Sequence, residues 1–557
     1  MTDRFVFLPL GGCGEIGMNL SLYGFGPEGR EKWIIADLGV TFGHPETPGI
    51  DVICPDPTYI VHRRKDLLGI VLTHGHEDHI GAVPYLWSRL KCPVYATPFT
   101  AELVRLKLAD AGLEDDVTLK RVPLSGGLKL GPFKISYVTL THSILEPNAL
   151  AIETPLGRVL HTGDWKIDAD PLIGAHTDEN ALRKLGDEGI LAMVCDSTNV
   201  FVPGESGSEG SVRESLSRLI ADKTGRVAVT AFASNLARIE TIAHAAAAHG
   251  RHPVLVGRAM HRLVGAAKAA GYLADLPALL EAGEAKHLPR EKVLYIATGS
   301  QGEPRAALSR IVEGEHPDVD LEPGDTLVFS SRVIPGNERA IFALMNAFVA
   351  RGIEIISDAI EHTHVSGHPC RDELAQMYRW VRPRVSIPVH GELRHLAEHV
   401  KLAKSLQVPD ALLTPNGALV QLAPGAPQVV DHVPTGRLYV DGDLLIPADD
   451  GTVQQRRKIS FAGHVVALIV LDHKGRLAAD PRVTAQGLPQ GIEGEIDDKL
   501  IDDMEEELVL AIDAMPKPQA KDDDAVEEQV RRSIRKVLKE AWGKKPTISV
   551  EIVRLGD

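Results

Sequence analysis

Cysteine is scarce in this chain. The 557 residues hold five, Cys13, Cys54, Cys92, Cys195 and Cys370, with no CxxC pair. Their scatter and odd number argue against a disulfide framework and predict a reducing, cytoplasmic setting. No apolar run is long enough to span a bilayer, so no membrane is expected among the partners. The first residues, MTDRFVFLPLGG, lack the basic and long apolar stretches of a secretory signal. Internal repeats and long low-complexity tracts are absent too. Positive charge is in deficit: the formal net charge is -16. Taken alone, that lowers the prior for a nucleic-acid binder, although local Arg and Lys can still bind phosphate on an acidic protein.

What remains is an ordinary globular balance, 44% apolar and 24% charged, in a chain long enough for about three to four domains. The first part reads as short apolar strands that end in polar residues: FVFLPL, WIIADLG, LLGIVLTH, KISYVTLTH, NALAIETP and GRVLHTGDW. From about residue 206 strands and helices alternate, as in RVAVTAF, NLARIETIAHAAAAHG, HPVLVG, KVLYIATGS and DTLVFSS. That alternation predicts a parallel sheet with helices on its faces. Ligands of such sheets bind beyond the carboxyl ends of the strands. The loops there, residues 232–235, 298–303 and 330–338, are polar and could offer N–H groups and hydroxyls to an anion. Residues 371–430 resume the first domain's sheet, which makes the middle segment an insertion. A Pro-, Gly- and Asp-containing linker is expected over 431–460, and a small α/β domain over 461–557.

The chemistry starts in VLTHGHEDHIGAV, residues 71–83. Alternate residues of an extended loop point the same way, so His74 and His76 can grip one metal ion. Asp78 and His79 follow on the next turn of chain and can grip a second. Imidazole and carboxylate suit zinc or manganese. His142, Asp164 and His390 each close an apolar strand, where side chains of separate strands can converge. Two metals about 4 Å apart can share a hydroxide and polarise a phosphoryl or carbonyl oxygen. Asp37 is a candidate for orienting a ligating histidine. GGCGEIG, without a long helix after it, reads as a tight turn near the metal site rather than a nucleotide fingerprint.

This set resembles the metallo-β-lactamase fold, an αββα sandwich. By that resemblance His74, His76 and His142 hold one metal, Asp78, His79 and His390 the other, and Asp164 bridges. More than two hundred residues separate Asp164 from His390, and the insertion, with Asp196 in VCDSTN and the HVSGH motif, resembles the β-CASP domain of nucleic-acid-processing members. Taken in order, GGCGEIGMN, DSTNVFVPGESGSEGSV, ASNLARI, TGSQGEP, VIPGNE and HVSGH resemble the bacterial ribonuclease J family over nearly the whole chain. The resemblance implies metallo-β-lactamase segments at 1–205 and 371–430 and a β-CASP insertion at 206–370. It implies a 5′-to-3′ exonuclease and endonuclease acting on single-stranded RNA in mRNA decay and RNA processing, with 5′-monophosphorylated RNA preferred. Two divalent ions are implied, zinc first and Mn²⁺ or Mg²⁺ as alternatives, in a homodimer or homotetramer.

His364, Val365, Ser366, Gly367 and His368 would contact the RNA backbone, as would Ala233, Ser234 and Asn235. His368 would assist the leaving 3′ oxygen and, with Asp78, form the catalytic set. Ser300, Ser331 and Arg332 are further candidates from strand-end geometry. A β-CASP DNA nuclease or a 3′-end-processing RNA endonuclease is the alternative reading.

Overall fold

The computed structural model describes residues 2–334, 336–489 and 498–556. The chain forms two compact units, Met1–Thr41 with Ile53–Leu438, and Phe42–Val52 with Tyr439–Asp557.

The first unit is built on two sheets. One has eight strands, in the order Gln428–His432, Ala418–Ala423, Asp3–Gly11, Leu20–Pro27, Lys32–Ala36, Leu67–Val71, Val94–Ala96 and Leu119–Arg121. The other has seven: Gly127–Leu130, Phe133–Thr139, Asn148–Thr154, Gly157–His161, Ala192–Asp196, Val385–Val389 and Asp410–Ala411. Their facing side chains make one core, in which Phe5, Phe7, Tyr23 and Ile34 from the first sheet meet Phe133, Ile135, Ile152 and Ile387 from the second. Inward apolar residues at period two, as in FKISYVT, are what place each strand in such a sandwich. A second core lies on the other face of the seven-stranded sheet. There Leu182, Met377, Trp380 and Leu402 come from helices Glu179–Glu188, Arg371–Val381 and Leu393–Ser405.

Strands Ala192–Asp196 and Val385–Val389 are parallel neighbours, with Asp196 opposite Val389. The chain therefore leaves the sandwich after Asp196 and returns beside the same strand. Between them lies a five-stranded parallel sheet, ordered His252–Val256, Val293–Ala297, Val227–Thr230, Thr326–Phe329 and Glu354–Ile356. This is the alternating strand–helix insertion that the sequence predicts.

In the second unit, strands Arg482–Gln486, His464–Leu471 and Thr547–Arg554 form a sheet. Helices Asp498–Asp513 and Asp523–Ala541 pack on it. Val526, Val530, Ile534 and Leu538 recur every four residues and are fully buried. The stretch 431–460, expected as a linker, carries strands Arg437–Asp441 and Leu444–Pro447 and the start of helix Thr452–Ala462. Its strands are short and bounded by Gly, Pro and Asp, so they read as loop in the sequence. Among the described residues no helix is long and apolar enough to cross a membrane.

Candidate metal centre

Strand ends deliver the site. Leu67–Val71 runs into Thr73 and His74, and a short helix at Glu77–Ile80 turns Asp78 and His79 back toward them. His142 follows strand Phe133–Thr139, Asp164 follows Gly157–His161, and His390 follows Val385–Val389. His74, His79, His142, Asp164 and His390 are buried.

Their donor atoms converge on Asp164. Its Oδ2 lies 3.1 Å from His79 Nε2, 3.5 Å from His390 Nε2, 3.9 Å from His142 Nε2 and 4.0 Å from His74 Nε2. His76 Nδ1 is 3.2 Å from His74 Nε2 and 3.1 Å from His142 Nε2. Asp78 Oδ2 is 3.0 Å from His390 Nε2. Three groups of donors result, His74–His76–His142–Asp164, Asp78–His79–Asp164–His390 and Asp164–Asp196–His368–His390, each with all donors within 4.8 Å of one another. All seven residues singled out in the sequence are brought together.

The donor set fits divalent cations. Three ring nitrogens at His74, His76 and His142 face one another, and hydrogen bonds alone cannot satisfy all three. Among the described residues the buried Asp164 Oδ1 has no hydrogen-bond partner, which is uncommon for a buried polar atom unless a ligand takes it. Burial first, and neighbouring imidazoles second, hold His74 and His142 well below the usual histidine range. Burial takes His76 down to about 4 against the pull of Asp78 and Asp164. These three are neutral, as a metal-ligating imidazole must be. At the other subsite burial opposes charge on His79 and His390, but the carboxylates prevail. Asp164, Asp78 and Asp37 raise His79 well above its ordinary value, and Asp164, Asp78 and Asp196 raise His390 to about 9. Clustered negative charge of that kind is what a cation offsets.

A second layer fixes the ring planes. His79 Nδ1 is 2.7 Å from Asp37 Oδ2, and Asp37 also accepts from the Thr73 N–H and hydroxyl, both at 2.8 Å. Asp37 and His390 both have left-handed backbones, φ 62° and 53°, a conformation that non-glycine residues keep only when their surroundings enforce it. The His390 N–H donates to Gly12 O at 2.7 Å, so the glycine-rich opening buttresses the last ligand. His390 Nδ1 is 2.9 Å from Thr198 Oγ1, and Asn19 donates to Asp78 O at 2.9 Å. Sequence reasoning singled out neither Thr198 nor Asn19. Each sits inside a family motif, which was the one available signal.

The inserted domain closes over this cage through two loops. His142 Nδ1 donates to Gly367 O. A Cβ on Gly367 would lie 2.8 Å from His142 Cε1 and 2.5 Å from Ser143 Oγ, so only glycine permits this approach. His368 Nδ1 is 2.8 Å from Asp196 Oδ2 and 3.9 Å from Asp164 Oδ2. Burial disfavours the charged ring, but the two carboxylates outweigh it and raise its pKa. Ser366 Oγ accepts from Asn199 Nδ2 at 2.8 Å and from the His368 N–H at 3.2 Å, which leaves its proton to donate. From the other loop, Ser234 Oγ is 3.2 Å from His76 Nε2.

Four predicted contacts face elsewhere. Asn235 caps helix Leu236–Ala248 through the Arg238 N–H and holds Glu209 at 3.1 Å. His364 lies in a cationic environment: burial, then Arg238, Arg332 and Lys166, keep it neutral, so it offers a hydrogen bond rather than charge. Val365 is buried beside Gly207. Ala233 contributes a methyl group to the loop and lines a separate crevice.

Comparison with known proteins agrees with this construction. The chain matches the sequence profiles of the metallo-beta-lactamase superfamily over residues 28–230, the ribonuclease J beta-CASP domain over 224–348, the Zn-dependent metallo-hydrolase RNA specificity domain over 352–409 and the ribonuclease J C-terminal domain over 451–555. It is 46% identical to a ribonuclease J of Sinorhizobium meliloti, across 99% of this chain and 98% of that one. The figure is 37% for a ribonuclease J of Mycolicibacterium smegmatis, across 98% and 96%. A solved structure, a protein of unknown function from Enterococcus faecalis V583, shares the fold with a TM-score of 0.52 at 14% identity, over 75% of this chain and 100% of its own. Full-length identity at this level, on top of a seven-residue cage capped by an inserted parallel-sheet domain, shows that the chain belongs to the ribonuclease J family.

Proposed function

We propose that this chain hydrolyses phosphodiester bonds of single-stranded RNA with two divalent ions, zinc in the first instance, at the cage described above. One observation carries the reading: a loop of the inserted domain, Ser366–His368, meets the cage through His142 and Asp196. A small ester or lactam would not need that wall; a chain threading past the cage would. Ions held by the seven ligands would supply an activated water and charge stabilisation at the phosphorus.

The protein's own groups do the rest. The Ser366 hydroxyl and Ser234 hold phosphate oxygens beside the cage, and this fixes the scissile bond. His368, kept protonated by Asp196, gives its proton to the departing 3′ oxygen. Asp78 holds its place by its contact with His390. Substrate of 5′-monophosphorylated RNA, 5′-to-3′ polarity with endonuclease cleavage, a cytoplasmic setting and a dimer or tetramer complete the proposal, as does the division at residues 206, 371, 431 and 461.

Digestion of matched 5′-labelled and 3′-labelled oligonucleotides tests it, as RNA and as DNA. RNA degraded from its 5′ end, with DNA spared, is expected; cleavage of DNA at an equal rate would sink the RNA assignment. His76→Ala and Asp78→Ala should each lower hydrolysis by about 10³-fold or more while RNA binding persists. Full activity in either would overturn the metal assignment.

A further inference from the structure

The basic run QQRRK, residues 454–458, takes no part in the mechanism above. It lies in the second unit, on helix Thr452–Ala462. That helix runs straight into strand His464–Leu471, and helix Asp523–Ala541 leads through residues 542–546 into strand Thr547–Arg554. The two strands are parallel neighbours, with His464 opposite Thr547. Their register sets the carboxyl ends of the two helices side by side.

Lys544 joins those ends. Its Nζ donates to Phe461 O at 3.1 Å, and stands 4.7 Å from the ring centre of Phe461 and 5.4 Å from that of Trp542. A cation there offsets the negative end of a helix, which gives Lys544 a structural task. The helix dipole does not account for the rest of the cluster. Phe461 is 73% exposed, so most of its ring is open to a planar partner. Arg457 and Lys458 precede it by four and three residues and share its face of the helix. They are exposed, as is Lys545. Among the described residues none of these three cations has a carboxylate partner, whereas Arg456 is held by Asp441 at 2.6 Å. Residues 451–464 and 541–549 contain Arg456, Arg457, Lys458, Lys544 and Lys545 and no Asp or Glu, in a chain of net charge -16. The ridge is a local positive field on an acidic molecule.

We propose that this ridge docks single-stranded RNA and shares no residue with the cage. A base stacks on Phe461, and Arg457, Lys458 and Lys545 neutralise the phosphates on either side of it. Every base has a face to stack, so the ridge holds RNA without regard to sequence. An anionic membrane would need a wider apolar face than one phenyl ring among Gln454, Gln455, Arg457, Lys458 and Ser460. The choice of RNA rests on the ribonuclease reading; the pairing of cations with an open aromatic ring does not.

Titration of the full chain with a cleavage-resistant phosphorothioate RNA of about 30 nucleotides tests this without turnover. Arg457→Gln with Lys458→Gln should raise Kd at least tenfold. The same pair should flatten the slope of log affinity against log salt by about 1.4, two phosphate contacts at about 0.7 each. Phe461→Ala should raise Kd at least fivefold. Lys474→Gln, exposed on the turn beyond the far end of strand His464–Leu471, is the charge control and should change neither quantity. Thiouridine placed along the same RNA should crosslink to peptides that hold Phe461 or Trp542. Unchanged affinity and slope, an equal loss in Lys474→Gln, or crosslinks confined to the first unit would overturn the proposal. Two results would assign the ridge to another occupant, if RNA affinity stays unchanged. Phosphatidylglycerol vesicles bound by the native chain and released by the double variant would mean a lipid surface. A dimer split by Phe461→Ala in sedimentation would mean a second copy of the chain. Hydrolysis assays, read separately, report on the ribonuclease reading, so the two can fail independently.

Discussion

At the scale of single residues, the cage depends on partners that never touch a ligand's metal-facing atom. Asp37 fixes His79 through its other ring nitrogen, and partners of this kind typically contribute 10–100-fold in metal affinity. Asp37→Ala should therefore weaken metal retention by about that factor, read by competition with a chelator. His399 shows burial at work away from the site. It sits between Ser197 Oγ and Tyr378 OH, both at 2.9 Å, and burial takes its pKa from 6.5 down to about 4. Between those values the unfolded chain binds the proton and the folded chain does not. The stabilisation is complete above about pH 6.5 and is lost as the pH falls toward 4. Between pH 7.5 and 5 the native chain should lose about 2 kcal/mol more unfolding free energy than His399→Gln, by urea denaturation. Equal losses would show that the ring is protonated in the fold.

At the scale of elements, one buried ion pair ties three loops of the inserted domain together. Arg238 is fully buried; it donates to Glu209 at 2.9 and 3.0 Å, to Ser330 Oγ at 2.7 Å and to Thr363 O at 3.0 Å. Glu209 in turn accepts from Asn235. The loop that touches His76 and the loop that touches His142 are thus anchored to one side chain. Glu209→Gln leaves the guanidinium without its counter-charge and should destabilise the fold by about 3–5 kcal/mol, measured by chemical denaturation. The sequence made the HxHxDH loop legible because its ligands are local, and it made His142, Asp164 and His390 legible as polar residues ending apolar strands. Thr198 was not legible: its partner is His390, 192 residues away, and a threonine in a loop carries no mark of that. Asn235 read as a substrate contact by the family resemblance, in one run with Ala233 and Ser234, whereas its own side chain turns inward to Glu209. Helix Arg258–Ala269 was missed because it starts on a bare glycine, without the Ser, Thr, Asp or Asn that usually announces an N-terminus.

At the scale of the whole molecule, each unit has a core of its own. Val465, Ile469, Met504, Leu508, Val530 and Ile534 pack together within residues 461–557. That fragment expressed alone should give a helical circular dichroism spectrum and a single cooperative urea transition; a non-cooperative melt would show that it borrows stability from the rest of the chain. The first unit is assembled otherwise. Strand Ala418–Ala423 pairs with Asp3–Gly11, Val385–Val389 pairs with Ala192–Asp196, and His390 is the last ligand to appear in the chain.

That order has a consequence in time. While the chain is being made, His74, His76, Asp78, His79, His142 and Asp164 leave the ribosome first, and the 226 residues from Asp164 to His390 follow. At synthesis rates of about 5–20 residues per second, that interval lasts roughly 10–45 s. Throughout it the nascent chain carries an open cage without its closing ligand and without the Ser366–His368 wall. An enzyme that degrades RNA is therefore assembled so that it stays incomplete for most of the time it is tethered to the message that encodes it.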